Sequence, residues 1–170
     1  MNSNEDHKLA SDFQPEVGEA NFPPPMNREV VGGMHIAPEC FTVRNGVFVM
    51  TVWPNGLPRH EQVRSVRFPH GLMKFGETLE ETAQRLVSAQ QGLSVIRVSV
   101  LKIDSYVDEM NHWHLEPVLL VDVEGEPKLP KEAEELVEFS SSNLPEGSVW
   151  GQESFQNTVR QHVHLFHPGI

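Results

Sequence analysis

A pair of apolar runs separated by two residues most constrains how this chain folds. The runs CFTVR (40–44) and VFVMTV (47–52) are rich in β-branched and aromatic side chains, and Asn45-Gly46 joins them. Asn-Gly tolerates the positive φ angles of a type I′ turn, whose twist matches the twist of two paired strands. The pattern therefore predicts a β-hairpin. Similar runs predict strands over 62–68, 94–103, 115–123 and 136–139.

Two segments have the periodicity of amphipathic helices. In the first, predicted over 78–91, Thr78 and Glu81 have the spacing of a capping box, and Gly92 is placed to end the helix. In the second, predicted over 153–166, apolar side chains recur at helical spacing. Strands mixed with two well-separated helices predict an α/β domain with a mixed β-sheet between the helices.

Composition excludes several classes of function. The 170 residues suffice for one compact domain, and a net charge of −11 argues against binding to nucleic acid or to an anionic membrane. A small phosphorylated ligand needs only a local basic site and is not excluded. A single cysteine, Cys40, fits a reducing compartment. With no signal-peptide pattern and no apolar run long enough for a membrane span, we expect a cytoplasmic protein.

The first residues differ from the rest in composition. Residues 1–28 are polar and contain three consecutive prolines, Pro23, Pro24 and Pro25. Proline fixes φ and removes a hydrogen-bond donor, so we expect an extended or mobile N-terminal arm followed by a domain over 29–168.

The segment 68–93 resembles the Nudix box. That pattern reads Gly, five residues, Glu, seven residues, Arg-Glu, apolar, any residue, Glu-Glu, any residue, Gly, apolar. The positions in register are Gly71, Glu77, Arg85, Val87, Gly92 and Leu93. The preceding residues are similar to the family's Leu-Pro-Gly lead-in, with His70 in place of a glycine. The resemblance covers about residues 30–146, and it implies a Nudix-like α/β/α sandwich in which Gly71, Glu77, Arg85 and Gly92 support the motif structurally.

The three acids of the motif are replaced by Leu86, Ala89 and Gln90. These positions are spaced i, i+3, i+4 and share one face of a helix. Glutamates there would provide hard oxygen ligands for Mg²⁺ or Mn²⁺, whereas leucine and alanine donate no lone pair and glutamine is a neutral, weak ligand. We therefore expect no metal at this face and no cofactor, with Mg²⁺ or Mn²⁺ needed only by an active hydrolase.

Two sets of side chains remain candidates for chemistry. The ligand-binding candidates, which could hold a phosphate, are Arg64, Arg67, Lys74 and Gln90. The catalytic candidates in an active enzyme are Glu77, Glu81 and Glu134. Ordinary explanations exist for both sets, because surface arginines pair with surface acids, and acids at the start of a helix are expected from the helix dipole.

His112 and His114 lie on one side of an extended segment and form a candidate pair of transition-metal ligands. A pair without a third ligand is weak evidence, and exposed histidines are common at strand edges.

The resemblance implies three alternative functions. The first is a non-catalytic Nudix-fold protein that binds a nucleotide-type or other small phosphorylated ligand, or a protein partner. The second is a divergent Mg²⁺- or Mn²⁺-dependent pyrophosphohydrolase of nucleoside diphosphate derivatives, and the third is a structural or self-associating module. A homodimer is the assembly that similar proteins suggest.

Overall fold

The computed structural model describes residues 34–54, 64–107 and 112–165. The predicted arm over 1–28 lies outside the described residues. The strands are β1 (Met34–Ile36), β2 (Glu39–Arg44), β3 (Val47–Trp53), β4 (Ser65–Arg67), β5 (Ser94–Val107), β6 (Trp113–Glu124) and β7 (Glu135–Phe139). The helices are α1 (Leu79–Gln91) and α2 (Gln152–Gln161), and a 3₁₀ turn follows over Val163–Leu165.

The predicted hairpin is confirmed. β2 and β3 pair antiparallel, with Arg44 opposite Val47. Asn45 and Gly46 both have positive φ, at 50° and 81°, as a type I′ turn requires.

The strands form one mixed sheet with β6 near its centre. β6 pairs antiparallel with β5 on one side and parallel with β1 and β2 on the other. β3 pairs antiparallel with β2, β4 and β7. Beyond β4 the chain continues beside the start of β2, where His70 forms an antiparallel bridge with Glu39 and the Pro69 carbonyl accepts from Cys40 N at 2.9 Å. The loop before α1 is thereby tied to the sheet.

The two helices cover opposite faces of the sheet. On one face, α1 packs through Ala83, Leu86 and Val87 against apolar side chains of β2 and β6. On the other face, Phe155 of α2 packs among the aromatic rings of Phe41, Phe48, Phe68 and Phe139. The predicted α/β/α layering is confirmed.

The first helix has the predicted ends, and the second is shorter than predicted. The capping box of α1 is complete: Glu81 N donates to Thr78 Oγ1 at 3.2 Å, and Thr78 N donates to Glu81 Oε2 at 2.8 Å. Gly92 ends α1 with a φ of 67°. The α-helix α2 ends at Gln161 rather than at 166, because His162 leaves the helical conformation and its Nδ1 lies 2.9 Å from the Thr158 carbonyl oxygen.

Candidate functional site

An ion pair joins the loop before α1 to the helix. The Glu77 carboxylate accepts hydrogen bonds from Arg85 Nε and Nη2, both at 2.7 Å, and from Thr82 Oγ1 and Lys74 N, both at 2.9 Å. Arg85 Nη2 also donates to the Leu72 carbonyl at 2.9 Å. The hydrogen bonds from Arg85 hold the pKa of Glu77 well below its usual range, at about 2. Both side chains are therefore occupied in holding the loop.

Two of the three positions that replace the motif acids are occupied in structural contacts. Leu86 is buried in the core beneath α1, and a Cβ atom placed on Gly71 would lie only 2.8 Å from Leu86 Cδ2. Gln90 Nε2 donates to the His70 carbonyl at 2.7 Å, and Gln90 Oε1 accepts from His70 N at 3.3 Å. Ala89 is exposed. The leucine fills space and the glutamine fixes a backbone segment, so this helix face offers no carboxylate.

A cluster that the sequence did not predict lies beside His70. A ligand atom from each of Glu39, His70 and Glu116 lies within 4.8 Å of those from the other two. His70 Nδ1 lies 3.0 Å from Glu39 Oε2, and the indole Nε1 of Trp150 donates to Glu39 Oε1 at 3.2 Å. We refer to these three titratable residues as the Glu–His–Glu cluster.

The sheet register assembles this cluster. Glu39 begins β2, its parallel neighbour β6 carries Glu116, and the continuation of β4 places His70 on the other side of Glu39. Side chains on neighbouring strands meet when they point to the same face. The only local sign in the sequence is His70, which stands where the resemblance expects a glycine.

The cluster concentrates charge in a largely buried place. Only 5% of the surface of Glu39 is exposed. Burial raises the pKa of Glu116, and the neighbouring Glu39 raises it further. Burial lowers the pKa of His70, but the two carboxylates outweigh that effect and the net pKa is raised. Burial is thus the larger cause of the raised pKa of Glu116, whereas the raised pKa of His70 comes from the two carboxylates, which favour a positive charge between them.

Comparison with solved structures identifies the fold. A MutT Nudix hydrolase from Burkholderia pseudomallei superimposes with a TM-score of 0.59 at 19% identity, covering 74% of this chain and 98% of that one. This is the Nudix-like fold. A MutT protein from Methanosarcina mazei Go1 gives a TM-score of 0.58 at 16% identity, covering 75% of this chain and 94% of that one. A Nudix hydrolase from Nitrosomonas europaea gives 0.56 at 12% identity, covering 80% and 93%.

At these identities the comparison establishes the fold alone. No protein-family model matches the chain, and no curated protein matches it in sequence. The Nudix-like fold predicted from the box residues is confirmed. Any inference about activity has to be made from the side chains of this chain.

Within this Nudix-like fold, the predicted basic residues differ in their contacts and in their exposure. Arg64 lies 3.6 Å from Glu134 and 3.5 Å from Glu135, in pairs that are about half exposed. Lys74 is exposed in the loop before α1. Arg67 is half-buried in β4, and within the part of the chain that the structure describes its buried Nε has no hydrogen-bond partner.

Each of the three candidate catalytic acids is engaged in a contact within the fold. Glu77 is bound by Arg85, Glu81 completes the capping box, and exposed Glu134 pairs with Arg64. Glu81 also borders an open groove of about 590 Å³ between α1 and β5. Another groove, of about 610 Å³, lies along α2 beside Lys102. The residues lining these two grooves do not include the Glu–His–Glu cluster.

The predicted pair of His112 and His114, which flanks the first residue of β6, gains a third member. His35 of β1 is paired in register with His114, and its ring centroid lies 5.1 Å from that of His114 and 4.8 Å from that of His112. A ring nitrogen of each lies within 4.8 Å of the others. The third histidine escaped prediction because it comes from a strand almost 80 residues away.

In the described ranges, no helix is both long and apolar enough to cross a membrane.

Proposed function

We propose that this Nudix-fold protein binds a small nucleotide-type or other phosphorylated ligand and does not hydrolyse it by the standard metal chemistry of the fold. The observation that carries the proposal is the use of Leu86 and Gln90 as packing and hydrogen-bonding groups.

The residues at the motif positions do not fit a catalytic cation. Mg²⁺ requires near-octahedral oxygen ligands at about 2.0–2.1 Å, usually including one or two carboxylates. The methyl groups of Leu86 lie against Gly71, and both ends of the Gln90 amide are engaged by the backbone of His70. A cation at this face would meet hydrocarbon and an amide that is already hydrogen-bonded.

Basic side chains near the loop support a phosphorylated ligand. Arg67 retains a buried donor that no described residue satisfies, and such donors are costly unless something binds them. The exposed ammonium of Lys74 lies seven residues further along the chain, in the loop before α1. The half-exposed pairs of Arg64 are weak enough for a phosphate to compete with them. We include a cytoplasmic location and a homodimer in this proposal.

The second candidate is a divergent pyrophosphohydrolase of nucleoside diphosphate derivatives that uses Mg²⁺ or Mn²⁺. What favours it is the Glu–His–Glu cluster, which provides carboxylates beside the box although not from it. Against it, Glu77, Glu81 and Glu134 are each engaged in contacts within the fold.

A binding and turnover assay tests the proposal. A panel of nucleoside diphosphate derivatives is titrated by calorimetry in the presence of a chelator, and nucleotide release is measured separately with Mg²⁺ and then Mn²⁺. We expect saturable binding to at least one member, weakened at least tenfold in Arg67→Gln. Arg160→Gln is the matched control, because it removes one positive charge from the exposed side of α2 and should leave affinity unchanged.

Contaminating hydrolases are controlled with a Glu77→Gln protein purified in parallel. Metal-dependent turnover in the unmodified chain that disappears in Glu77→Gln, or in a Glu116→Gln protein purified in the same way, would overturn the proposal in favour of the hydrolase. Equal affinity in Arg67→Gln and Arg160→Gln would remove Arg67 from the binding site. An absence of binding by every member of the panel would exclude a nucleotide-type ligand.

A further inference from the structure

We infer that the Glu–His–Glu cluster is a binding site for a divalent first-row transition cation, displaced from the helix face that the motif resemblance would suggest. Three side chains from three adjacent strand segments direct one nitrogen and two carboxylate groups toward a common point. This site goes beyond the proposed function, because it predicts cation binding in the absence of any nucleotide.

The distances suit one ion. Imidazole nitrogen and carboxylate oxygen bind Zn²⁺ at about 2.0–2.2 Å, so two ligands on one tetrahedral ion lie about 3.3–3.6 Å from each other. His70 Nδ1 and Glu39 Oε2, which are 3.0 Å apart, need to separate by only about 0.3–0.6 Å to bind the same ion. An oxygen of Glu116 lies within 4.8 Å of both, and binding of one ion by all three groups requires this side chain to move closer.

A simple ion pair between His70 and Glu39 leaves part of this arrangement unexplained. That pair accounts for Nδ1 and Oε2, which are 3.0 Å apart, but it does not involve Glu116. A second carboxylate, that of half-buried Glu116, is held near the first. One cation with two charges would balance both carboxylates and use the nitrogen lone pair.

Surrounding contacts hold the three ligands in place, as is usual around metal sites. Trp150 Nε1 donates a hydrogen bond to Glu39 Oε1, so Glu39 Oε2 is the oxygen that faces His70. The Gln90 amide binds both the N–H and the carbonyl of His70, so the imidazole projects from a fixed backbone. The Tyr106 hydroxyl is hydrogen-bonded to Glu116. Gln90 stands at a position where the Nudix box has an acid. Here it is a positioning residue, because it holds the backbone of His70.

The donor set indicates the class of cation. One imidazole with two carboxylates suits Zn²⁺, Mn²⁺ or a similar ion, whereas Mg²⁺ prefers oxygen ligands only. We expect affinity to rise from Mn²⁺ to Zn²⁺ and to be at least tenfold lower for Mg²⁺ than for Mn²⁺.

The test is a metal titration with no nucleotide present. The full chain is stripped with a chelator, exchanged into chelator-free buffer and titrated by calorimetry with Zn²⁺, Mn²⁺ and Mg²⁺. We expect one Zn²⁺ per chain, with affinity reduced at least tenfold in Glu116→Gln and in His70→Gln. Glu124→Gln, at the exposed end of the same strand, is the matched control and should bind as the unmodified chain does.

Two further variants make each outcome decisive. Glu39→Gln should lose the ion as well, but Glu39 is so buried that this variant could fail to fold. In that case the result for Glu116→Gln tests the site, because Glu116 is only half-buried. His114→Gln tests the alternative histidine cluster formed with His35 and His112. Loss of Zn²⁺ in His114→Gln with retention in Glu116→Gln would overturn the inference, as would unchanged affinity in both. Because no nucleotide is present, failure here is separable from failure of ligand binding.

Discussion

At Leu86, a side chain that packs in the core cannot also bind a metal ion. Only 5% of its surface is exposed, and it shares the core beneath α1 with Ala83, Val87 and Leu119. A glutamate here would place an unpaired carboxylate in this apolar cluster and against Gly71. The leucine thus contributes hydrocarbon to the core at a position where the Nudix box has a carboxylate.

Leu86→Glu should consequently destabilise the protein by about 3 kcal/mol or more, since a buried charge without a partner is strongly unfavourable. Leu86→Met is the volume-matched control and should cost less than about 1.5 kcal/mol. The free energy of unfolding is measured by urea denaturation. Equal stability of the two variants would mean that the side chain can turn to solvent, and that the helix face could still carry acids.

Glu77 predicts a pH dependence. Because hydrogen bonds from Arg85 lower its folded pKa to about 2 from an ordinary value of 4.5, the ionised carboxylate stabilises the folded state above pH 4.5. That contribution is lost as the pH falls from 4.5 through about 2. Glu77→Gln should lower stability at pH 7 by about 1–3 kcal/mol. At pH 2.5 the difference from the unmodified chain should be much smaller.

Denaturation curves of Glu77→Gln and of the unmodified chain at pH 7 and pH 2.5 measure the difference in stability. Glu146→Gln, in an exposed turn, is the control. A constant difference at both pH values would show that Glu77 acts through packing and not through its charge.

At the scale of single elements, the prediction from sequence succeeded where the determinants are local. The hairpin follows from Asn45-Gly46 and the start of α1 from Thr78 and Glu81, because turn and cap geometry depend on residues a few positions apart. The predicted end of α2 was wrong, because apolar residues continue at helical spacing beyond His162, where the chain leaves the helix. Periodicity marks the buried face of a helix but does not mark where hydrogen bonding stops.

Gly92 shows how the end of α1 is fixed by its surroundings as well as by its backbone. Its φ is 67°, and a Cβ atom there would lie 2.5 Å from Lys128 Cβ and 2.6 Å from the Lys128 backbone N and O. Gly76 is a natural comparison, with a φ of 84° and nothing within 4 Å of the same hypothetical atom.

Gly76→Ala should therefore cost only the left-handed backbone penalty of about 1–2 kcal/mol. Gly92→Ala should cost at least about 2 kcal/mol more, because the backbone of Lys128, which donates to the Gln91 carbonyl at 2.8 Å, has to move. Thermal and urea unfolding of the two variants measure the difference. Equal losses would mean that the segment around Lys128 shifts at little cost.

At the scale of the whole molecule, the sequence predicted the layers and not the site. The mixed sheet and its two covering helices follow from the order of local patterns, and chains only 12–19% identical share them. The Glu–His–Glu cluster depends instead on register: residues 39, 70 and 116 meet because β2 lies between β6 and the continuation of β4. No local pattern encodes a contact between side chains this far apart in the chain.

The charge of the whole chain gives the last prediction. With a net charge of −11, the molecule repels an approaching anion at long range, whereas the basic groups Arg67 and Lys74 act only locally. Salt screens long-range repulsion first, because the Debye length falls to about 8 Å at 0.15 M, while a half-buried contact is screened less. For a nucleoside diphosphate derivative that binds, the association rate should increase between about 20 and 150 mM salt, with a nearly constant dissociation rate.

Stopped-flow measurements on the unmodified chain provide the association and dissociation rates. Arg160→Gln is the control, because it changes the net charge of the chain but not the proposed binding site. An oligonucleotide, with many more charges, should not bind at either salt concentration. An association rate that decreases with salt would show that the local basic groups dominate the approach, and that the acidic surface lies away from the path of the ligand.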